Sequence, residues 1–279
     1  MDMSSETLSL QEAADRVGVH YMTMYRYVRL GLLPAKKVGG SWRVSVADLD
    51  EFIAPSEAPV AKGEAPWAER LEARMVAGDA TGAWAVVEAA LSSGSTPARI
   101  YVDVLAPALA SVGERWAGGE LGIEDEHLAS AVASRIIGRL GPRFNRRGRP
   151  RGTVVAAMPS GERHGFGLAM LTDVLRGEGY SVLDLGPDTP AQSLVTAMKK
   201  VEDLEAVCLS VAYTDALPRL IETIEEVRRV FGTDIPIVIG GRAIESLDHA
   251  VTLGADGWVE RATDVGELIA QIAKGARTA

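Results

Sequence analysis

Between residues 152 and 275, short apolar runs alternate with longer stretches of helical spacing. The runs fall at 153–158, 181–184, 206–211, 235–239 and 257–259. Helical spacing appears near 165–178, 190–201, 216–231 and 243–253. A run that is apolar at nearly every position, not at every second one, must be buried on both faces. A parallel sheet covered by helices on each side does this, and the alternation supplies its crossovers. The spacing therefore predicts an α/β doubly wound parallel sheet. Such sheets bind ligands outside the carboxyl ends of their strands. Three loops leave those ends: Glu162-Arg163-His164-Gly165-Phe166-Gly167, Ser210-Val211-Ala212 and Ile239-Gly240-Gly241. No Gly-x-Gly-x-x-Gly follows the first run, so the dinucleotide fingerprint is absent.

The first loop offers an imidazole two residues after a carboxylate, which can fix the tautomer and raise the basicity of a ligating His. Gly165 and Gly167 let a bulky ligand approach the backbone. A lone loop His carries no such assignment by itself. With a small hydroxyl and a double glycine on the same rim, the site becomes shallow and wide, suited to a large flat ligand. The order resembles the cobalamin-binding domain, in which Asp-x-His-x-x-Gly, Ser-x-Leu and Gly-Gly recur. The likeness covers the whole alternating region. It implies a Rossmann-like fold and a bound cobalamin, with His164 replacing the dimethylbenzimidazole as lower cobalt ligand and Glu162 as its partner. The displaced nucleotide tail would enter beside Ser210, Val211, Gly240 and Gly241. Two positions depart: Glu162 replaces Asp and lengthens the carboxylate's reach, and Ala212 replaces Leu and removes only apolar bulk.

Residues 1–54 form a different unit. Ser9-Leu-Gln-Glu12 is a capping box that starts a helix ended by Gly18, and a second helix spans about 21–30. The short link between them is a helix-turn-helix signature. A hairpin over 36–44 turns at Gly39-Gly40, and a third helix follows a Ser45 cap. From Arg16 to Arg43 every charged residue is positive. Tyr21, Thr23, Met24, Arg26 and Tyr27 on the second helix suit major-groove reading, and Lys36, Lys37 and Arg43 on the hairpin suit phosphate contacts. This segment resembles the winged helix-turn-helix of MerR-type regulators, which implies operator DNA as a partner.

Residues 55–66 lack an apolar period and read as a linker. Residues 67–147 read as four helices with short turns, an antiparallel four-helix bundle. Arg143, Arg146, Arg147, Arg149 and Arg151 then form a connector, either solvated or a second DNA contact, into the sheet domain at 148–279. Trp116, followed nine residues later by Glu126-His127, lies where the third helix ends and the fourth begins. Alone, the Trp reads as core and the pair as exposed. Beside a cobalamin domain, the spacing resembles the signature of light-sensing, adenosylcobalamin-dependent MerR-family repressors, the CarH/LitR-like photoreceptors. That resemblance implies a homo-oligomer (dimer or tetramer) whose operator binding follows the upper cobalt ligand, capped by Trp116, Glu126 and His127. In some members the residue after the signature Trp is a His that ligates cobalt after illumination; here it is Ala117.

Composition narrows the alternatives. The net charge of −9 argues against whole-chain nucleic-acid binding but not against a local basic patch. One cysteine, Cys208, excludes an internal disulfide and a thiolate cluster. No apolar stretch or leader suggests a membrane or export, so the expected location is the cytoplasm. The chain reads as a regulator and not an enzyme. The rival is a corrinoid carrier protein of a methyltransferase system, which also joins a bundle to this sheet, and a sensor using a second chromophore is a further variant.

Overall fold

The computed structural model describes residues 7–17, 21, 24, 25, 28, 33–53 and 66–276. Contacts divide the chain into two compact units, Met1–Glu64 and Ala65–Ala279.

In the first unit, β1 (Thr7–Ser9) leads directly into α1 (Leu10–Val17). The capping box is formed: the Ser9 N–H donates to Glu12 Oε2 at 2.7 Å, and the Glu12 N–H donates to Ser9 Oγ at 3.3 Å. The hairpin of β2 (Lys36–Val38) and β3 (Ser41–Ser45) turns at Gly39 and Gly40, with φ of +57° and +86°. These left-handed values match a two-residue turn whose twist suits the strands. The sheet order is β1-β3-β2, all antiparallel. Only the hairpin is legible in the sequence, because the three residues of β1 contain a single apolar side chain. Ser45 Oγ accepts the Asp48 N–H at 3.0 Å and caps α2 (Val46–Ile53) as expected. Residues 21, 24, 25 and 28 are helical; the turn at Gly18, together with Thr23, Arg26 and Tyr27, lies outside the described residues.

Among the described residues, the second unit begins with α3 (Trp67–Val76) and α4 (Ala80–Ser92). A composite rod follows: α5 (Pro97–Arg99), a π-helical turn (Ile100–Leu105) and α6 (Ala106–Ala117). Then comes α7 (Ile123–Leu140). All four helical stretches expected from the sequence are present. The π turn was not legible. It lies just ahead of Pro107, which has no N–H to close the ordinary ladder, and widening the helix accommodates that missing donor.

The sheet contains β4 (Thr153–Ala157), β5 (Ser181–Asp184), β6 (Leu204–Ser210), β7 (Ile237–Gly240) and β8 (Gly257–Val259). All pairs are parallel and the order is β5-β4-β6-β7-β8. Every residue of β4 is buried, as a central parallel strand requires. Cys208 on β6 is buried as well, and burial pushes its thiol up to about 12.

One helix, α8 (Phe166–Gly177), belongs to two cores. Leu168, Leu171 and Leu175 pack on the sheet, while Met170 and Val174 pack among α3–α7. Each such side chain contributes about 1.5–3 kcal/mol by leaving water. The boundary expected at 147/148 therefore falls inside one compact unit. At the seam, the Tyr101 hydroxyl, fully buried, donates to Asp173 Oδ2 at 2.7 Å, and Arg176 Nη1 donates to Asp173 Oδ1 at 3.1 Å. Burial first, then the Asp173 hydrogen bond and charge, push the Tyr101 hydroxyl far above its ordinary range. Tyr101→Phe strips a donor from a buried carboxylate and is expected to cost about 1.5–3 kcal/mol. Urea unfolding followed by tryptophan fluorescence measures this, because Trp67, Trp84, Trp116 and Trp258 all lie in this unit; an unchanged midpoint refutes it.

Candidate functional site

The strand order creates a switch point between β4 and β6. The chain leaves β4 through α8 toward β5, and leaves β6 through α10 (Leu217–Phe231) toward β7 on the other side. (The helix between β5 and β6, α9, spans Ala191–Met198.) The crevice opens where those two crossovers diverge. Glu162 and His164 follow β4, and Ser210 ends β6, so both loops border it.

Glu162 is almost fully buried, and its carboxylate joins the two loops. Oε1 lies 2.7 Å from His164 Nδ1 and accepts the His164 N–H at 3.1 Å. Oε2 accepts the N–H groups of Ala212 at 2.8 Å and Tyr213 at 3.2 Å. Burial pushes this carboxyl up, but the four hydrogen bonds together outweigh it and hold it below its ordinary 4.5. The imidazole is 58% exposed. A carboxylate at Nδ1 selects the tautomer protonated there, so the Nε2 lone pair faces outward. The loop is held from the side as well: the Gly161 N–H donates to Asp188 Oδ1 at 2.8 Å and the Asp188 N–H to the Glu162 carbonyl at 2.9 Å. Tyr213, which the sequence did not single out, tilts against His164 with ring centroids 4.3 Å apart. Its one visible signal was an aromatic residue directly after Ser-Val-Ala.

The remaining rim residues divide by what they touch. A Cβ on Gly167 would stand 3.6 Å from Ser210 Oγ, and one on Gly165 4.0 Å from Pro187, both ordinary contacts. Gly241 has φ +104° and a Cβ there would strike the Val211 carbonyl, while a Cβ on Gly240 would stand 3.0 Å from the Val259 carbonyl. The close packing of neighbouring strand ends thus accounts for both glycines without any ligand. Val211 is a correction. Its side chain is fully buried in the core, its N–H donates to the Gly240 carbonyl and its carbonyl accepts from Ala243, so it has no surface or free group for a ligand.

The helical layer meets this same edge. Glu114 on α6 pairs at 3.1 Å with Arg242, which directly follows Gly240-Gly241. Asp103 in the π turn pairs with Arg261, just after β8. Phe166, two residues beyond His164, packs against the helical core. Trp116, two residues beyond Glu114, is 43% exposed instead of core. Glu126 accepts the Ser130 hydroxyl at 2.7 Å, and exposed His127 has Nε2 3.7 Å from Glu126 Oε2. The structure brings Glu162, His164 and the 210–213 turn into direct contact; Trp116 is linked to the edge through its own helix and the Glu114–Arg242 pair.

In the first unit, Lys36 and Lys37 are exposed on β2. Arg43 is half-buried, 3.9 Å from Glu12. Tyr21 is exposed and stacks on Tyr25 at 6.5 Å. Met24 is a correction: it is completely buried with Val28, Leu10 and Leu49, because it occupies the apolar stripe of its helix, and it cannot reach DNA. Thr23, Arg26 and Tyr27 lie outside the described residues.

Comparisons with known proteins bear on both units. Residues 7–55 match a helix-turn-helix domain profile. Residues 67–140 and 152–268 match two B12 binding domain profiles. The chain is 33% identical over 151 residues to the HTH-type transcriptional repressor CarH of Myxococcus xanthus, a match spanning 54% of this chain and 49% of that repressor, about half its length. It is 27% identical over 184 residues to trimethylamine corrinoid protein 1 of Methanosarcina acetivorans, covering 64% of this chain and 84% of that protein. The fold is shared with the monomethylamine corrinoid protein of Methanosarcina barkeri, at a TM-score of 0.66 and 18% identity over 74% of this chain and 98% of that one. Relatives of this kind are a repressor and corrinoid proteins. No helix among the described residues is long and apolar enough to cross a membrane.

The donor chemistry fits a corrinoid. No group of three or more His, Cys, Asp or Glu side chains among the described residues could hold a bare metal ion. A metal bound by a single imidazole must bring its other ligands with it, as a corrin does. An exposed imidazole backed by a buried carboxylate is the one protein ligand such a ring needs.

Because the folded Glu162 carboxyl sits below its ordinary 4.5, its contribution to stability is complete above that value and is lost as pH falls through the lowered folded value. The thermal midpoint of Glu162→Gln is therefore expected to lie below that of the native chain at neutral pH and to converge with it in acid. A gap that persists in acid refutes the assignment.

Proposed function

We propose that this chain is a corrinoid-dependent transcriptional regulator, with residues 1–54 reading operator DNA, 55–66 linking, 67–147 forming a four-helix bundle over the corrin and 148–279 holding its lower face. One observation carries the proposal: the Glu162–His164 pair stands at the sheet's switch point inside a B12 binding domain, in a chain that also matches a helix-turn-helix domain. His164 is the residue that would ligate cobalt through Nε2. Glu162 fixes the ring and its tautomer, Tyr213 packs beside it, and Gly165, Gly167, Ser210, Gly240 and Gly241 form the rim. Trp116, Glu126 and His127 serve the opposite face, and adenosylcobalamin is the favoured form. When bound with an alkyl upper ligand, a cobalamin supplies a cobalt–carbon bond that visible light breaks.

The protein's part is to make DNA binding depend on that upper ligand. A ligand that stabilises one packing of bundle against sheet shifts the population toward it. The Glu114–Arg242 and Asp103–Arg261 pairs and the shared helix α8 are the contacts such a ligand would bias. A homo-oligomer, dimer or tetramer, would then carry the change to operator affinity as a light-relieved repressor. Ala117 offers no imidazole after Trp116, which leaves His127 as the nearest upper candidate.

A second reading, a corrinoid carrier for methyl transfer, is favoured by the 84% coverage of the trimethylamine corrinoid protein. Duplex binding separates the two. Under the regulator reading, the purified chain loaded with adenosylcobalamin binds a promoter duplex in the dark and releases it under green light. Constant affinity and constant oligomer size would refute light control; methylation of the bound corrinoid by a partner enzyme, without duplex binding, would favour the carrier.

Two substitutions test the halves separately. His164→Ala is expected to remove the His-ligated corrinoid spectrum. Lys37→Ala should leave that spectrum intact while weakening duplex binding and lowering its salt slope by about one. A spectrum unchanged in His164→Ala sinks the ligand assignment.

A further inference from the structure

The amino end of the sheet, opposite the corrinoid edge, holds a cavity of about 330 Å³. It is lined by the connector 145–151 and by Arg176, Glu178, Gly179 and Tyr180 at the end of α8 and the turn into β5. Five arginines are among its lining residues: Arg146, Arg147, Arg149, Arg151 and Arg176. Arg176 is paired with Asp173. Arg151 lies over the Tyr180 ring, 4.7 Å from its centroid, and its N–H donates to the Gly179 carbonyl at 2.9 Å. Among the described residues, Arg146, Arg147 and Arg149 make no ion pair within the chain.

The charge balance decides what this cavity wants. Apart from paired Arg176, four arginines line the cavity beside one lining carboxylate, Glu178, with Asp264 and Glu267 close to it. The carboxyl end of α8 adds about half a negative charge. The lining itself is net positive, in a chain whose net charge is −9. Burial pushes the Glu178 carboxyl up, Arg151 pulls it down, and Asp264 and Glu267 beside it push it up again. A solvated linker would spread its arginines outward. Here the connector is pinned at Arg151 by Gly179 and turns at Gly148, with φ +118°, so its arginines border one concavity.

We infer that this cavity is a second ligand site, one that takes the phosphate chain of a soluble polyphosphate. Guanidinium forks match phosphate oxygens in pairs, and several forks around one cavity match several adjoining phosphates. The volume lies at the small end of the range for ligand sites, about 300–1,000 Å³. Tyr180 is buried and its ring face is taken by Arg151, so the cavity has no aromatic platform for a base. Recognition therefore rests on the phosphates. A duplex backbone is convex and follows a groove or a flat basic face, whereas these arginines border a hollow.

The test uses the full chain and inorganic triphosphate as probe, by calorimetric titration at fixed ionic strength. Saturable binding of one triphosphate per chain is expected, weakened by at least about tenfold in the Arg146→Ala/Arg149→Ala double variant. Both arginines are exposed, and an unchanged circular dichroism spectrum checks the fold. Glu178→Gln removes the lining carboxylate and is expected to tighten binding, a gain that misfolding cannot mimic. Absence of saturable binding, equal binding by the double variant, or weaker binding by Glu178→Gln overturns the inference. Loss of duplex affinity and salt slope in the double variant, with triphosphate inert, also overturns it and makes the arginines a nucleic-acid contact.

Discussion

The buried carboxylate of Glu162 holds the functional edge together. It cannot be solvated where it lies, so all its charge must be met by donors from the protein. Four donors do so, two from His164 and two from the turn after β6. The energetic need of the carboxylate thereby becomes a geometric constraint on both loops. It orients the imidazole, selects its tautomer and fixes the distance between the ends of β4 and β6. An Asp at this position would have a shorter arm; the extra methylene of Glu lets one carboxylate span from its own loop to the Ala212 and Tyr213 N–H groups.

The helical layer is bound to the sheet by a different kind of contact. Helix α8 presents apolar side chains on two sides, and one buried polar node, Tyr101 with Asp173 and Arg176, sits at the seam. Apolar packing alone is tolerant of small slides. A short hydrogen bond between a buried hydroxyl and a buried carboxylate is not, because an unpaired partner there is costly. The outer ion pairs at Arg242 and Arg261 are more exposed and correspondingly weaker. The junction thus has a rigid centre and a yielding rim. The rim lies at the carboxyl edge of the sheet.

Most of the architecture was legible because its signals are local. Apolar runs, glycine and proline breaks, Ser9 and Ser45 at helix starts and Gly39-Gly40 in the hairpin each act within a few residues. The features that were missed are those with no local signal. Strand β1 is three residues long and exists only because β3 lies beside it. The π turn depends on how a proline-interrupted rod is accommodated between neighbours. Met24 shows the same limit: its residue type suits either a groove contact or a core, and only the packing of α1 and the last helix of that unit puts it inside.

The site followed this division. The sequence by itself determined the chemistry on offer: a carboxylate and an imidazole two apart at the end of a strand, a small hydroxyl, a double glycine, and a Trp with a Glu-His pair in the helices. Residue identity and strand-end position are properties of the chain, so they could be read directly. Tertiary structure alone decided which groups meet. It placed Glu162 against the Ala212 and Tyr213 N–H groups fifty residues away, tilted Tyr213 against His164, withdrew Val211 into the core and set the connector arginines along a cavity. Each of these depends on strand order and on the balance between burial and hydrogen bonding, which no stretch of sequence contains.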